Sequence, residues 1–156
     1  LQGGGHAVDA QRLLALNVEM NPKSAFAKRQ MAAVTIELAY RSSGRAAAGD
    51  ASYADLKSRF GADIVNEDLM NNVGYGLLGT GQTDEAIAAL KLNATEHPKS
   101  ANVYDSLGEA YAKRGDWKLA TQNYQRSLEL DPKNDHARQE IQAIKAQSKS
   151  KIKAGR

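Results

Sequence analysis

The chain has 156 residues, of which 42% are hydrophobic and 25% are charged, and its formal net charge is +3 at pH 7. This length suffices to bury a core, and so small a charge gives no reason to expect nucleic acid as a partner. Cysteine is absent, which excludes disulfides, thiolate metal ligands and a cysteine nucleophile. Because no apolar run approaches the roughly 20 residues that span a bilayer, we expect a soluble protein, cytoplasmic or periplasmic, without a visible leader peptide.

The N-terminal part of the chain is predicted to be a flexible leader, residues 1–6, followed by one amphipathic helix within residues 7–23. Pro22 stops this helix, since proline lacks the N–H and clashes with the preceding turn. Residues 10–25 agree with residues 86–101 at eight of sixteen positions. The first helix therefore corresponds to the second half of a repeat. We expect its first half to have been removed; the alternative is that the preceding residues fold differently.

An irregular helix pair is predicted over residues 24–66. Its helices are expected at residues 24–41 and 53–60, joined by the small-residue stretch 42–52. Gly61 follows the second helix as an expected C-cap, because glycine tolerates the left-handed backbone conformation that ends many helices.

A 34-residue period runs through the second half of the chain and predicts two regular helix pairs, residues 67–100 and 101–134. The later copy carries Tyr104, Leu107, Gly108, Tyr111, Ala120, Tyr124 and Pro132, and the earlier copy carries Met70, Val73, Gly74, Leu77, Ala86, Leu90 and Pro98 at the same spacing. Gly108 and Ala120 should lie where the helices of a pair cross, since small side chains let backbones approach. Tyr111, Tyr124 and Leu107 should fill the space between the helices.

The C-terminal residues predict a capping helix and a tail. Ala137, Ile141 and Ile144 fall on one face of a helix over residues 135–148, as in a terminal helix that covers the end of a repeat stack. The remaining residues, 149–156, are strongly basic and are predicted to be disordered.

These positions resemble the tetratricopeptide repeat, strongly over residues 67–134 and more weakly over residues 7–66. The resemblance implies an all-α solenoid of about seven helices, in which antiparallel helix pairs form a right-handed superhelix within one domain, residues 7–148. It also implies a non-catalytic scaffold that binds a protein or peptide, with no cofactor and no metal.

In this family the first helices of successive repeats line a concave groove that receives the partner. The resemblance implies that the groove residues here are Arg29, Gln30, Asp68, Asn71, Asn72, Tyr75, Asn102, Asp105, Ser106, Glu109 and Lys113, with Phe26, Ala33 and Glu37 at equivalent places in the irregular unit. The subclass that holds the C-terminal carboxylate of chaperones has basic residues where this chain has Asn102, Asp105 and Ser106. A carboxylate would be repelled there, so that subclass is excluded.

A second resemblance covers residues 50–134, which are similar to the C-terminal repeats of some bacterial serine hydrolases and esterases. It implies, as the alternative function, an accessory domain whose catalytic part lies upstream. The chain itself has no G-x-S-x-G motif and no metal-ligand spacing among its histidines. Residues 74–79 match G-x-G-x-x-G, but Gly74 is already explained by the helix crossing and no strand is predicted before it.

Overall fold

The computed structural model describes residues 4–43 and 46–154, and these residues form α-helices without any strand. The eight helices are α1 Gly4–Met20, α2 Ala25–Ser43, α3 Ala46–Phe60, α4 Glu67–Gly79, α5 Thr83–Glu96, α6 Ala101–Arg114, α7 Trp117–Leu130 and α8 Asp135–Ala154. The all-α fold class is therefore confirmed. The count of about seven was one too low, because the predicted half repeat, irregular pair, two regular pairs and cap together make eight.

Three helix boundaries correct the sequence prediction. Helix α1 already begins at Gly4, so the described part of the expected leader is helical. Helix α3 begins at Ala46 rather than at Tyr53, because a run of alanines, the best helix former, opens the supposed linker. Helix α8 continues to Ala154, where a disordered tail was expected, since lysine and alanine favour helix and neither glycine nor proline occurs in α8. The remaining residues of the predicted leader, linker and tail lie outside the described part of the chain.

The chain divides into two compact units, Leu1–Leu92 and Asn93–Arg156, with the division inside α5. In the first unit α2 is the central element, since it packs against α1, α3 and α4. The largest fully buried side chains of this unit are Tyr40, Ile36, Leu56, Met70, Leu77, Leu90, Val65 and Val73. The predicted crossing at Gly74 is confirmed, because a Cβ there would lie 2.6 Å from Cγ of Leu90.

A polar contact inside the first unit links the C-terminal end of α2 to the start of α3. The Tyr40 hydroxyl donates a 2.6 Å hydrogen bond to Oδ1 of Asp50. The ring lies so close to Gly49 that a Cβ there would be 2.4 Å from it. Burial, and then the hydrogen bond to Asp50, raises the pKa of the Tyr40 hydroxyl above its usual range. The folded protein therefore keeps this phenol protonated.

In the second unit α7 packs against both α6 and α8. The signature residue expected at the crossing, Ala120, is 0% exposed, and those expected between the helices are buried too: Tyr124 is 0%, Leu107 5% and Tyr111 8% exposed. Gly115 ends α6 with φ of 89° and donates its N–H to the carbonyl of Ala112, as a glycine cap in the left-handed region does.

Helix α8 is fixed to α6 and α7 by Asn134, which precedes its first turn. The Asn134 side chain accepts a 3.1 Å hydrogen bond from the backbone N–H of Ala137, and its amide donates to Asp105 and to Ser127. The other Asp105 oxygen lies 2.8 Å from Nδ1 of His136. The predicted apolar face is buried as well, with Ala137 0% exposed.

Candidate functional site

A pocket of about 430 Å³ opens between α2 and α4 in the first unit. Helix α2 contributes Phe26, Arg29, Gln30 and Ala33, and α4 contributes Asp68, Leu69 and Asn72. Spacings of three and four residues place these side chains on one face of each helix. The pocket therefore lies between the facing sides of two neighbouring first helices, as the repeat resemblance implies for a groove.

The polar contact at the start of α4 fixes one end of the pocket. Oδ1 of Asn66 accepts the backbone N–H of Leu69 at 3.1 Å, which caps α4, and also accepts Nη2 of Arg29 at 3.0 Å. One amide oxygen thus satisfies a free helix N–H and joins α2 to α4. The sequence signal for this cap is an asparagine directly before Glu67 and Asp68, whose charges favour a helix N-terminus.

A second contact joins the other ends of the same two helices. Nη2 of Arg41 lies 2.8 Å from Oε1 of Glu37 and 2.8 Å from Oγ1 of Thr80. A Cβ at Gly76 would lie 2.9 Å from Oε2 of Glu37, so the absence of a side chain lets the carboxylate approach the α4 backbone. Glu37 therefore belongs to a helix-joining contact rather than to the pocket. With both ends of α2 and α4 fixed, the pocket between them is preformed.

The pocket combines an aromatic wall with amides and one charge of each sign. Phe26 is 70% exposed, so most of its ring faces solvent at the edge of the cavity. Gln30 and Asn72 each offer a donor and an acceptor. Arg29 and Asp68 contribute opposite charges from the two helices. Such a lining can hold a peptide group and an apolar side chain together.

The structure brings four of the expected groove residues around this pocket, namely Arg29, Gln30, Asp68 and Asn72. Tyr75, farther along α4, is 40% exposed. Asn71 is a correction: it is only 7% exposed, because it lies one turn before Gly74 on the buried side of α4. Leu69 also lines the pocket, although its place among the core leucines gives no sequence signal for one.

On α6, in the second unit, some of the expected groove residues are accessible and others are buried. Asn102 and Lys113 are exposed, and Asp105 and Glu109 are half-buried. Ser106 is a correction, since it is 2% exposed and lies between Val103 and Ala110 on the buried face. Asp105 is already occupied by its contacts with Asn134 and His136. Asn102 and Lys113 are thus the expected residues of this helix that are most accessible to solvent.

Helix α1 presents an apolar face to solvent. Leu13, Leu16 and Met20 are 68%, 50% and 73% exposed, and their spacing places them on one side of the helix. Among the described residues, no group of three or more histidine, aspartate or glutamate side chains is arranged to hold a metal ion. In that same part of the chain, no helix combines the length and apolar character needed to cross a membrane.

Paired helices with small residues at their crossings define the class of fold: an all-α protein built from helix pairs. The family profile described as tetratricopeptide repeat matches residues 101–134. Two solved structures of MamA have a similar fold. One, whose title names AMB-1, has a TM-score of 0.50 at 16% identity. The match covers 82% of this chain and 71% of that MamA chain. Another has a TM-score of 0.51 at 13% identity, and the match covers 92% of this chain and 89% of that MamA chain. Residues 101–134 therefore form a tetratricopeptide repeat, and the fold of the chain is similar to that of MamA.

Two curated proteins are similar in sequence to this chain over a short segment. Superkiller complex protein 3 of Mus musculus is 34% identical over 67 residues, which is 43% of this chain and 4% of the relative. The Homo sapiens protein of that name is 34% identical over 71 residues, or 46% of this chain and 4% of its own length. This chain thus spans only about 4% of the length of these relatives.

Proposed function

We propose that this chain binds a partner protein through the pocket between α2 and α4 and catalyses no reaction itself. The observation that carries the proposal is Phe26, an aromatic side chain that is 70% exposed beside a cavity of about 430 Å³. Exposed aromatic residues at a concave site are typical of binding hot spots, because a partner gains much apolar burial at a single residue.

Two further features support this proposal. The helices on either side of the pocket are joined by Arg29 to Asn66 and by Arg41 to Thr80, so little conformational entropy is lost when a partner binds. The polar side chains around the pocket suit a partner's peptide groups, which need both donors and acceptors. Additional contacts are proposed for exposed or half-exposed residues of the first helices, namely Tyr75, Asn102, Glu109 and Lys113.

The name of the curated relative describes it as a protein of a complex. A role in assembling proteins is consistent with that description, and we propose the same kind of role here. The partner of this chain is proposed only as a protein or peptide, recognised by the pocket chemistry.

Affinity capture with the tagged chain from a lysate of its source cells, followed by quantitative mass spectrometry, tests this function. Phe26→Ala and Asn72→Ala should each lose the same captured partner, since both side chains line the pocket and are exposed. Trp117→Ala, which removes an aromatic residue that is 40% exposed on α7, is the matched control and should keep the partner. Circular dichroism should show all three variants folded. If both pocket variants retain the partner, the proposed function is wrong.

A further inference from the structure

The lining of the α2–α4 pocket divides into an apolar part and a polar part. Phe26, Ala33 and Leu69 offer carbon surface, while the polar part is formed by Arg29, Gln30, Asp68 and Asn72. A ligand that fits both parts needs one apolar group and several hydrogen-bonding groups that carry no strong net charge. A peptide backbone with one large apolar side chain has this composition.

We infer that the pocket takes an uncharged, extended peptide segment that inserts one large aliphatic or aromatic side chain against Phe26. The peptide groups on either side of that residue pair with the amides of Gln30 and Asn72. This inference rests on the proposed function and adds to it the chemical class of the recognised segment.

The inserted side chain follows from the apolar part of the pocket. Phe26 is 70% exposed, so most of its ring is in contact with solvent until something covers it. Ala33, one of the lining residues of α2, is small, and this leaves open the volume that a larger side chain at that position would fill. Covering the Phe26 ring with an apolar side chain removes carbon surface of both molecules from water, which favours binding.

The lack of net charge follows from the two ionic residues. Arg29 and Asp68 stand on different helices and carry opposite charges. A strongly acidic or strongly basic segment meets an attracting charge on one helix and a repelling charge on the other. An uncharged segment avoids this repulsion, and its carbonyl and N–H groups match the guanidinium and the carboxylate respectively.

The extended conformation follows from the polar part of the pocket. In an extended segment the backbone amides are free to pair with Gln30 and Asn72, whereas a helix uses its backbone amides internally.

Titration of the ¹⁵N-labelled chain with blocked pentapeptides tests this inference by NMR. The first probe has leucine at its centre and alanine elsewhere, and its ends are acetylated and amidated. It should cause saturable shifts of the side-chain amides of Gln30 and Asn72. The probe with alanine at all positions should bind roughly tenfold more weakly or worse, as expected when a leucine side chain is no longer buried. Probes with aspartate or lysine on both sides of the leucine should also bind more weakly.

Variants of the pocket complete the test. Ala33→Leu fills the cavity without removing any polar group and should abolish the shifts, whereas Ala54→Leu, at an exposed position of α3, should leave them unchanged. Equal binding of the alanine-only or charged probes would overturn the inference. Loss of partner capture in Phe26→Ala without any binding of the leucine probe would also overturn it, while the proposed function would stand. Retained capture in the pocket variants would count against the proposed function instead.

Discussion

Gly108 of α6 lies directly against the ring of Tyr124 of α7, and a Cβ at Gly108 would be 2.8 Å from Cδ1 and Cε1 of that ring. Tyr124 is 0% exposed, so its ring has no space into which it can move. This contact sets the distance between the two helices of the repeat at residues 101–134. Because Gly108 has no side chain, the aromatic ring of Tyr124 can pack in the core at this crossing.

Gly108→Ala should destabilise the protein by about 1–3 kcal/mol, because the added methyl group overpacks the crossing. Urea unfolding followed by circular dichroism measures the change. Gly79→Ala is the matched control, since a Cβ at this helical glycine meets nothing within 4 Å. That control should be neutral or stabilising by up to about 1 kcal/mol, as alanine favours helix. A Gly108→Ala variant as stable as the control would show that the crossing is not tightly packed.

Tyr124→Ala should cost about 3–5 kcal/mol of unfolding free energy, because it leaves a large cavity between α6 and α7. Tyr104→Ala is the comparison. This tyrosine is half-buried, donates a long 3.4 Å hydrogen bond to the Pro98 carbonyl and has Arg126 over its ring. In thermal unfolding, the melting temperature of the Tyr124 variant should be well below that of the Tyr104 variant. The reverse order would contradict the packing of Tyr124 between α6 and α7.

Asn134→Ala should destabilise α8 by about 0.5–2 kcal/mol, the usual cost of losing a helix N-cap. The variant also leaves Asp105 without its hydrogen bond from Asn134. Amide hydrogen exchange should rise mainly in α8. Lys133→Ala, at the exposed neighbouring position, is the control and should leave the exchange rates unchanged. A uniform rise over the whole chain, rather than in α8, would be inconsistent with a local cap.

Asn71→Ala and Asn72→Ala should differ sharply, although the residues are adjacent. Asn71 is only 7% exposed, so its loss should cost about 1–3 kcal/mol, the usual cost of disrupting a buried polar group. Asn72 is exposed, and its replacement should change stability by less than about 0.5 kcal/mol. Chemical unfolding of both variants tests this difference. Similar stabilities would mean that Asn71 is accessible to solvent and not buried.

Stability should fall at alkaline pH, in part because of Tyr40. The folded state raises the pKa of this phenol, whereas the unfolded chain ionises it near pH 10. The stabilisation is therefore complete below about pH 10 and is lost as the pH rises further, by about 1.4 kcal/mol per pH unit. Tyr40→Phe should be less stable at neutral pH, since Asp50 loses its hydrogen bond, but should show a shallower alkaline decline. Parallel declines in both proteins would rule out Tyr40 as the cause.

The sequence predicted the repeat core well because the residues at the signature positions contact one another directly. Gly74 against Leu90 and Gly108 against Tyr124 both follow from the 34-residue period, in which a small residue faces a large one across a crossing. The resemblance to repeats of bacterial serine hydrolases stays a prediction. The mass of the native protein, measured by immunoblot, would test whether this chain is part of a larger enzyme.

The site was only partly predictable. The resemblance to the repeat family selected Arg29, Gln30, Asp68 and Asn72, and these four side chains line one pocket between α2 and α4. Spacing could not show that Asn71 is buried and its neighbour Asn72 exposed, because that depends on the rotation of α4 against the elements that pack on it.

By itself, the sequence determined the helical class, the repeat period and the residues at the helix crossings, because these depend on local propensity and on spacing along one chain. Only the tertiary structure decided where the helices begin and end, which amides are buried, and that a pocket opens beside Phe26. Those features depend on contacts between residues far apart in sequence, such as Arg29 with Asn66 and Arg41 with Thr80. Such contacts fix how helices of different pairs, here α2 and α4, lie against each other, whereas the repeat pattern specifies the crossing within a pair.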